Sequence, residues 1–136
     1  MEEVRVKHLG DVKFEAVARG HRVFCDQPAV NGGADTAMTP PEYLLASLGT
    51  CAGFYAVHYL KARSLSVESL EIRVTAEKVK NPGRMDSFRI EVMAPGLPEA
   101  HEAGLARVVR SCLIHTTMLN EPSIETVVHT SVPSAV

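Results

Sequence analysis

Two cysteines in apolar surroundings, Cys51 and Cys112, are the residues of this chain best suited to chemistry. Each falls on the apolar side of a predicted helix, and two core helices of a small domain usually pack together, which would make the thiols neighbours. A free cysteine, however, is more often a small buried hydrophobe than a reactive group. Spacing alone therefore leaves both inert packing and a redox pair open.

His115 follows Cys112 by three residues, which places both on one side of a helix. Together with Cys51 they would form a Cys/Cys/His metal site. Zinc normally requires a fourth ligand or an open water position with second-shell support, and no fourth ligand stands out, so we expect no metal. For His58 and Cys25 we expect ordinary packing or surface positions.

Glu42, Arg19 and Arg22 are the charged candidates. Glu42 stands three residues after Thr39 and completes a capping box there, so it is either a helix cap or a site carboxylate. Burial alone raises the pKa of a thiol and quenches it, so a reactive Cys51 needs a nearby cation. Arg19 or Arg22, which flank a predicted turn, are the positional candidates for that cation.

The helix that carries Cys51 is predicted to begin at Pro40 and is apolar on nearly every side as far as Leu60. A helix of this kind is covered on all sides, so we expect it in the middle of the structure. Polar residues interrupt it too often for a good membrane span. Cys112 is predicted on a second helix, from about residue 98 to residue 119, whose apolar residues recur at helical spacing.

Alternating apolar residues predict strands on both sides of the first helix. Residues 3–8, 12–17 and 21–26 are expected to form an antiparallel meander, and a hairpin should turn at 80–84. A last strand is predicted at 124–128. The expected order is β-β-β-α-β-β-α-β. We therefore predict one domain over residues 1–136, an α+β fold with antiparallel sheets and two long central helices.

Composition and charge argue against several classes of function. The formal net charge is −2 and there is no basic run, which argues against a nucleic acid partner. The N-terminus lacks the pattern of a signal peptide, so we expect a cytoplasmic location. Three cysteines are too few for a disulfide scaffold. In a reducing compartment they are free thiols, metal ligands or redox-active groups.

Two motifs resemble those of the OsmC/Ohr family of thiol-dependent peroxidases. The segment PPEYLLASLGTC at residues 40–51 is similar to the first motif of the OsmC-like branch, and CLIH at residues 112–115 is similar to the second. The predicted order of elements matches the family's plan across essentially the whole chain. The resemblance implies an intertwined homodimer, with the two long helices central and the sites at the subunit interface.

The resemblance also implies a mechanism without metal or bound cofactor. Cys51 would be the peroxidatic thiol, which reduces an organic (alkyl or lipid) hydroperoxide to an alcohol and becomes a sulfenic acid. Cys112 would be the resolving thiol, which condenses with that sulfenic acid to a disulfide. An external dithiol would then restore both thiols. Defence against oxidative stress is the expected role.

The sequence departs from the Ohr branch at the groups that would activate Cys51. Glu42 lies one residue later than that branch's active-site glutamate, as in the OsmC-like branch, and the Gly-Gly-Arg type of turn is missing. One residue on a helix turns a side chain by roughly 100°. These departures support the alternative function, a non-catalytic OsmC-like dimer that senses redox state or binds an apolar ligand.

Overall fold

The computed structural model describes residues 1–131 and confirms the α+β class. Two antiparallel sheets and three α-helices make up the fold, with short 3₁₀ turns at Ala29–Asn31 and Glu99–His101. In chain order the elements are β1 (Arg5–Gly10), β2 (Lys13–Ala18), β3 (His21–Cys25), α1 (Pro40–Ala62), β4 (Glu71–Val79), β5 (Arg84–Met93), α2 (Glu102–Arg110) and α3 (Leu113–Leu119).

The first sheet is the predicted meander, in the order β1-β2-β3. A tight turn at Arg19 and Gly20, both with positive φ, joins β2 to β3, and glycine adopts this backbone conformation without steric cost. Strand β1 is exposed along its whole length, and Val6 and Val23 expose about half of their surface or more. This sheet therefore adds little to the core of a single chain.

The second sheet is the hairpin of β4 and β5, and α1 packs against it. Two glycines of α1 permit the close approach. A Cβ atom on Gly49 would stand 3.0 Å from Cγ2 of Val74, and one on Gly53 would stand 3.4 Å from Cγ1 of Ile72. The G-x-x-x-G spacing thus serves the packing of a helix on a sheet.

Helix α1 carries one side of the core but is not covered on all sides within one chain. Four of its buried residues pack against Leu105 and Val109 of α2, whereas Phe54 on the outer side is 61% exposed. Within residues 1–131, only the hairpin, α2 and α3 pack against α1 extensively. The buried residues of α1 are Leu48, Ala52, Ala56, Tyr59 and Leu60.

The predicted second long helix is wrong in one respect, because it is broken before Cys112. Helix α2 ends at Arg110, Cys112 has an extended backbone (φ −64°, ψ 152°), and α3 starts at Leu113. The sulfur of Cys112 accepts the backbone N–H of His115, so the cysteine itself caps α3. Apolar spacing continues across the break, which is why periodicity did not reveal it.

The predicted last strand at 124–128 is also wrong for this chain. These residues are described but belong to no sheet, and Ile124 and Val128 are more than 80% exposed. A strand exists only where a neighbouring strand accepts its hydrogen bonds. No strand within residues 1–131 lies beside this segment. Within the same range, no helix is long and apolar enough to cross a membrane.

Candidate active site

The structure brings Cys51 and Cys112 together. Cys51 lies in the middle of α1, and Cys112 lies at the junction of α2 and α3, both of which pack on α1. The two thiols are near enough for Cys51 to raise the pKa of Cys112. Cys112 has no exposed surface, whereas Cys51 is only partly buried. The pair therefore consists of one accessible thiol and one hidden behind it.

Burial keeps Cys112 in its protonated form. Removal from water is the largest cause that raises its pKa, and the neighbouring Cys51 thiol raises the pKa further. The backbone N–H of His115, 3.4 Å from the sulfur, and that of Ile114 act in the opposite direction. Cys112 is thus a neutral thiol at neutral pH, and its reaction as a nucleophile requires the removal of a proton.

Glu42 lies at the start of α1 and is engaged as a helix cap. Its Oε1 accepts hydrogen bonds from the backbone N–H and the hydroxyl of Thr39, both at 2.9 Å. These bonds lower the pKa of the carboxyl, the backbone bond most, and the charge of Lys78 adds to the effect. Cys51 follows nine residues later, about 13 Å along the helix axis. Within one chain Glu42 therefore does not face the thiols.

The two candidate arginines lie on the three-stranded sheet. Arg19 occupies the turn between β2 and β3, and Arg22 pairs with Glu15 of β2 at 3.0 Å. Within residues 1–131, no hydrogen bond or ion pair joins either arginine to a thiol. One chain thus assembles the two thiols without the expected cation.

His115 lines two neighbouring cavities, and neither Cys51 nor Cys112 is among the residues that line them. One, of about 630 Å³, is lined by the α1 residues Leu44 and Leu48 together with parts of β5 and α3. The other, of about 600 Å³, lies between β5 and α2. Nδ1 of His115 is buried and has no hydrogen-bond partner within the described residues. Sequence reasoning considered this histidine only as a metal ligand.

The described part of the chain offers no metal centre, since no three His, Cys, Asp or Glu side chains converge there.

Sequence reasoning also missed Asp26, a buried carboxylate. It accepts hydrogen bonds from Gln27 N–H at 2.8 Å and from Thr36 N–H and hydroxyl at 3.0 and 2.7 Å. These bonds, with the Thr36 hydroxyl first, lower its pKa to about 2. Asp26 thereby holds the loop that leads into α1.

Comparison with known proteins agrees with this architecture. Residues 32–127 match the model of the family described as OsmC-like protein. No curated protein matches the chain.

Solved structures reproduce the fold over most of the chain. A protein of Psychrobacter arcticus is 18% identical with a TM-score of 0.79, and covers 86% of this chain and 88% of its own. An OsmC-like protein of Mycoplasma pneumoniae is 17% identical with a TM-score of 0.74, with 89% of each chain covered. An organic hydroperoxide resistance protein OsmC of Legionella pneumophila is 15% identical with a TM-score of 0.60. The match covers 87% of this chain and 88% of the Legionella protein. The fold and the family match together show that this chain belongs to the OsmC-like protein family.

Proposed function

We propose that this protein is a peroxidase that reduces organic hydroperoxides to alcohols with Cys51 and Cys112. The observation that carries the proposal is the thiol pair itself, in which a partly exposed Cys51 lies near a fully buried Cys112. The mainly apolar cavity between α1, β5 and α3 suits alkyl or lipid hydroperoxides better than hydrogen peroxide. A structural neighbour from Legionella pneumophila is named for organic hydroperoxide resistance, which supports the same substrate class.

The proposed reaction has three steps. The Cys51 thiolate attacks the terminal oxygen of the hydroperoxide, the O–O bond breaks, and an alcohol leaves after protonation. Cys51 is then a sulfenic acid. Cys112 attacks the sulfenic sulfur, water leaves, and a disulfide joins α1 to the start of α3. An external dithiol finally reduces the disulfide by exchange and restores both thiols. No metal or bound cofactor takes part.

Activation of Cys51 is assigned to a second copy of the chain. A homodimer would cover the apolar surfaces that one chain leaves open on β1, on the outer side of α1 and at residues 124–128. It would also allow Arg19 or Arg22 of one copy to approach Cys51 of the other, where a guanidinium would stabilise the thiolate. Glu42 would then orient that arginine. A cytoplasmic location would keep both thiols reduced between turnovers.

The test compares cysteine variants in a coupled peroxidase assay with cumene hydroperoxide and a dithiol. Cys51→Ser should abolish consumption of the hydroperoxide. Cys112→Ser should permit one turnover and then stop at the sulfenic acid, which dimedone traps. Cys25→Ser is the matched control, because this cysteine lies on β3 outside both motifs. Unchanged turnover by Cys51→Ser would exclude the proposed mechanism.

The alternative is a non-catalytic dimer that senses redox state or binds an apolar ligand. Glu42 engaged as a cap and Arg22 paired with Glu15 favour it, because neither is then free to activate Cys51. The pH dependence of alkylation of Cys51 separates the two functions. If alkylation reaches half of its maximal rate at a pH well below about 8.5, the pKa of free cysteine, the enzyme is supported. If that pH lies well above about 8.5, the alternative is supported.

A further inference from the structure

We infer that Asp26 is a positioning residue, which fixes the three-stranded sheet on the start of α1 so that an arginine of this sheet reaches Cys51 of the second copy. The inference rests on the proposed function and deepens its activation step. It assigns a role to a buried carboxylate that the three chemical steps leave unused.

The three-stranded sheet has few attachments to the rest of its own chain. Within residues 1–131, its strands pair with each other, and no helix or strand outside the sheet packs extensively against them. The sheet nevertheless carries both candidate arginines, Arg19 in the turn after β2 and Arg22 on β3. Its orientation relative to α1 therefore depends on the loop of residues 26–38 (the Asp26 loop) and on the contacts at the two ends of that loop.

The two ends of the Asp26 loop are joined directly. The backbone N–H of Asp26 donates to the carbonyl of Met38 at 3.3 Å, and the hydroxyl of Tyr43 on α1 donates to the carbonyl of Phe24 on β3. Compact loops whose ends lie close together and whose own side chains pack them are frequently functional. The end of β3 is thereby held against the first turn of α1.

The Asp26 carboxylate holds the inside of this loop together. Asp26 is 2% exposed, and its Oδ1 accepts the N–H of Gln27, next to β3. Its Oδ2 accepts the N–H and the hydroxyl of Thr36 and, at 3.3 Å, the N–H of Ala34, both shortly before α1. One side chain thus links both limbs of the loop. Asparagine at this position would lack one acceptor oxygen, so one limb would lose its bonds.

The orientation of the sheet matters because it sets the distance from the arginine to the thiol. In one chain, no hydrogen bond or ion pair within residues 1–131 joins Arg19 or Arg22 to a thiol, so the sheet of one copy is assigned to Cys51 of the other. A displacement of about 1 Å far from the chemistry can lower a rate about 100-fold. A loosened Asp26 loop would therefore leave the Cys51 thiolate without its cation, even in a folded protein.

The test measures how the rate of alkylation of Cys51 by iodoacetamide depends on pH, with the Cys51 peptide followed by mass spectrometry. For the wild type, the rate should reach half of its maximum at a pH well below about 8.5. Asp26→Asn and Thr36→Val should move that pH toward about 8.5 or above. Both should also slow the consumption of cumene hydroperoxide, by up to about 100-fold. A loss of stability alone would leave the pH dependence of the folded protein unchanged.

The Asp26 loop provides two matched controls. Asp35→Asn is the same substitution in the same loop, on an exposed residue whose backbone N–H bonds the Gln27 carbonyl at 3.0 Å. Thr36→Ser keeps the hydroxyl that donates to Asp26 at 2.7 Å. Both variants should retain the pH dependence and the rate of the wild type.

A second arm asks whether Asp26 acts through the arginines. In a protein with both Arg19→Gln and Arg22→Gln, no guanidinium of the β2–β3 turn remains to be positioned. Asp26→Asn should then cause no further shift in the pH dependence of alkylation, because the two effects share one cause. A full additional shift in this background would overturn the inference.

Hybrid dimers, purified through a different tag on each copy, test whether the sheet acts on the other copy. A hybrid of Asp26→Asn with Cys51→Ser should recover consumption of cumene hydroperoxide, because its one intact Cys51 faces a sheet that keeps Asp26. A hybrid of the wild type with the double variant carries the same substitutions, but its intact Cys51 faces a sheet without Asp26 and should stay slow. Equal rates, or the reverse order, would overturn the inference.

Failure of the proposed function is recognised separately, because alkylation requires no turnover. If the wild type consumes no hydroperoxide, the peroxidase function is wrong, and the alkylation profiles still test the inference. Equal profiles of the wild type and Asp26→Asn would overturn it, and so would a wild-type midpoint at or above about 8.5. If Asp26→Asn does not fold, Thr36→Val decides by the same criteria.

Discussion

The contact between Gly104 and Tyr59 provides a quantitative test of how α2 is positioned over α1. Tyr59 is almost completely buried, its hydroxyl hydrogen-bonds Nδ1 of His101 at 3.0 Å, and the guanidinium of Arg63 stacks on its ring at 3.6 Å. A Cβ atom on Gly104 would overlap the Tyr59 hydroxyl oxygen and would lie 3.0 Å from Cζ. In Gly104→Ala the ring must therefore move.

The cost of that movement in free energy is the sum of several contributions. Displacement of the ring forfeits the bond to His101, about 1 kcal/mol, and the stacking of Arg63, about 0.5–1 kcal/mol. Overpacking strain adds about 1–3 kcal/mol. Alanine recovers about 1 kcal/mol through its higher helix propensity. We expect Gly104→Ala to lower the free energy of unfolding by about 1.5–4 kcal/mol.

Urea unfolding followed by far-UV circular dichroism, at one fixed protein concentration, measures this change. Gly53→Ala is the matched control, because its Cβ would make only an ordinary contact at 3.4 Å and its effect should stay within about 1 kcal/mol. Tyr59→Phe removes the overlapping oxygen, so Gly104→Ala should cost less in that background. Equal costs in both backgrounds, or a stabilised Gly104→Ala, would refute the packing described for α2.

Two further predictions concern the core and the loop before α1. Leu60→Ala should lower the free energy of unfolding by about 2–5 kcal/mol in the same urea experiment, because Leu60 is fully buried against α2. A loss below about 1 kcal/mol would contradict that burial. Asp26→Asn should remove part of the acid sensitivity. The folded pKa of Asp26, about 2, lies below its ordinary 3.8, so its stabilisation is present above pH 3.8 and is lost as the pH falls toward 2. Thermal melts at pH 6 and pH 3 should therefore show a smaller decrease for Asp26→Asn than for the wild type, and equal decreases would contradict the role of Asp26.

Several local features could be predicted because they depend on neighbours in the chain. The capping box of Thr39 and Glu42 is one, since it needs only a three-residue spacing at the start of a helix. The strand meander and the α+β class are others, since alternation and turn residues determine them locally. The break at Cys112 escaped prediction because apolar spacing is the same for one helix and for two that pack on the same surface.

The sequence by itself determined which groups of this protein can do chemistry, and it placed two thiols on elements that would belong to the core. Tertiary structure alone decided that the two cysteines lie near each other, that Cys112 is the buried one, and that Nδ1 of His115 and the Asp26 side chain are buried. The physical reason is that contact, burial and pKa arise from residues distant in the chain. Periodicity assigns a residue to a face but does not say which other element covers it.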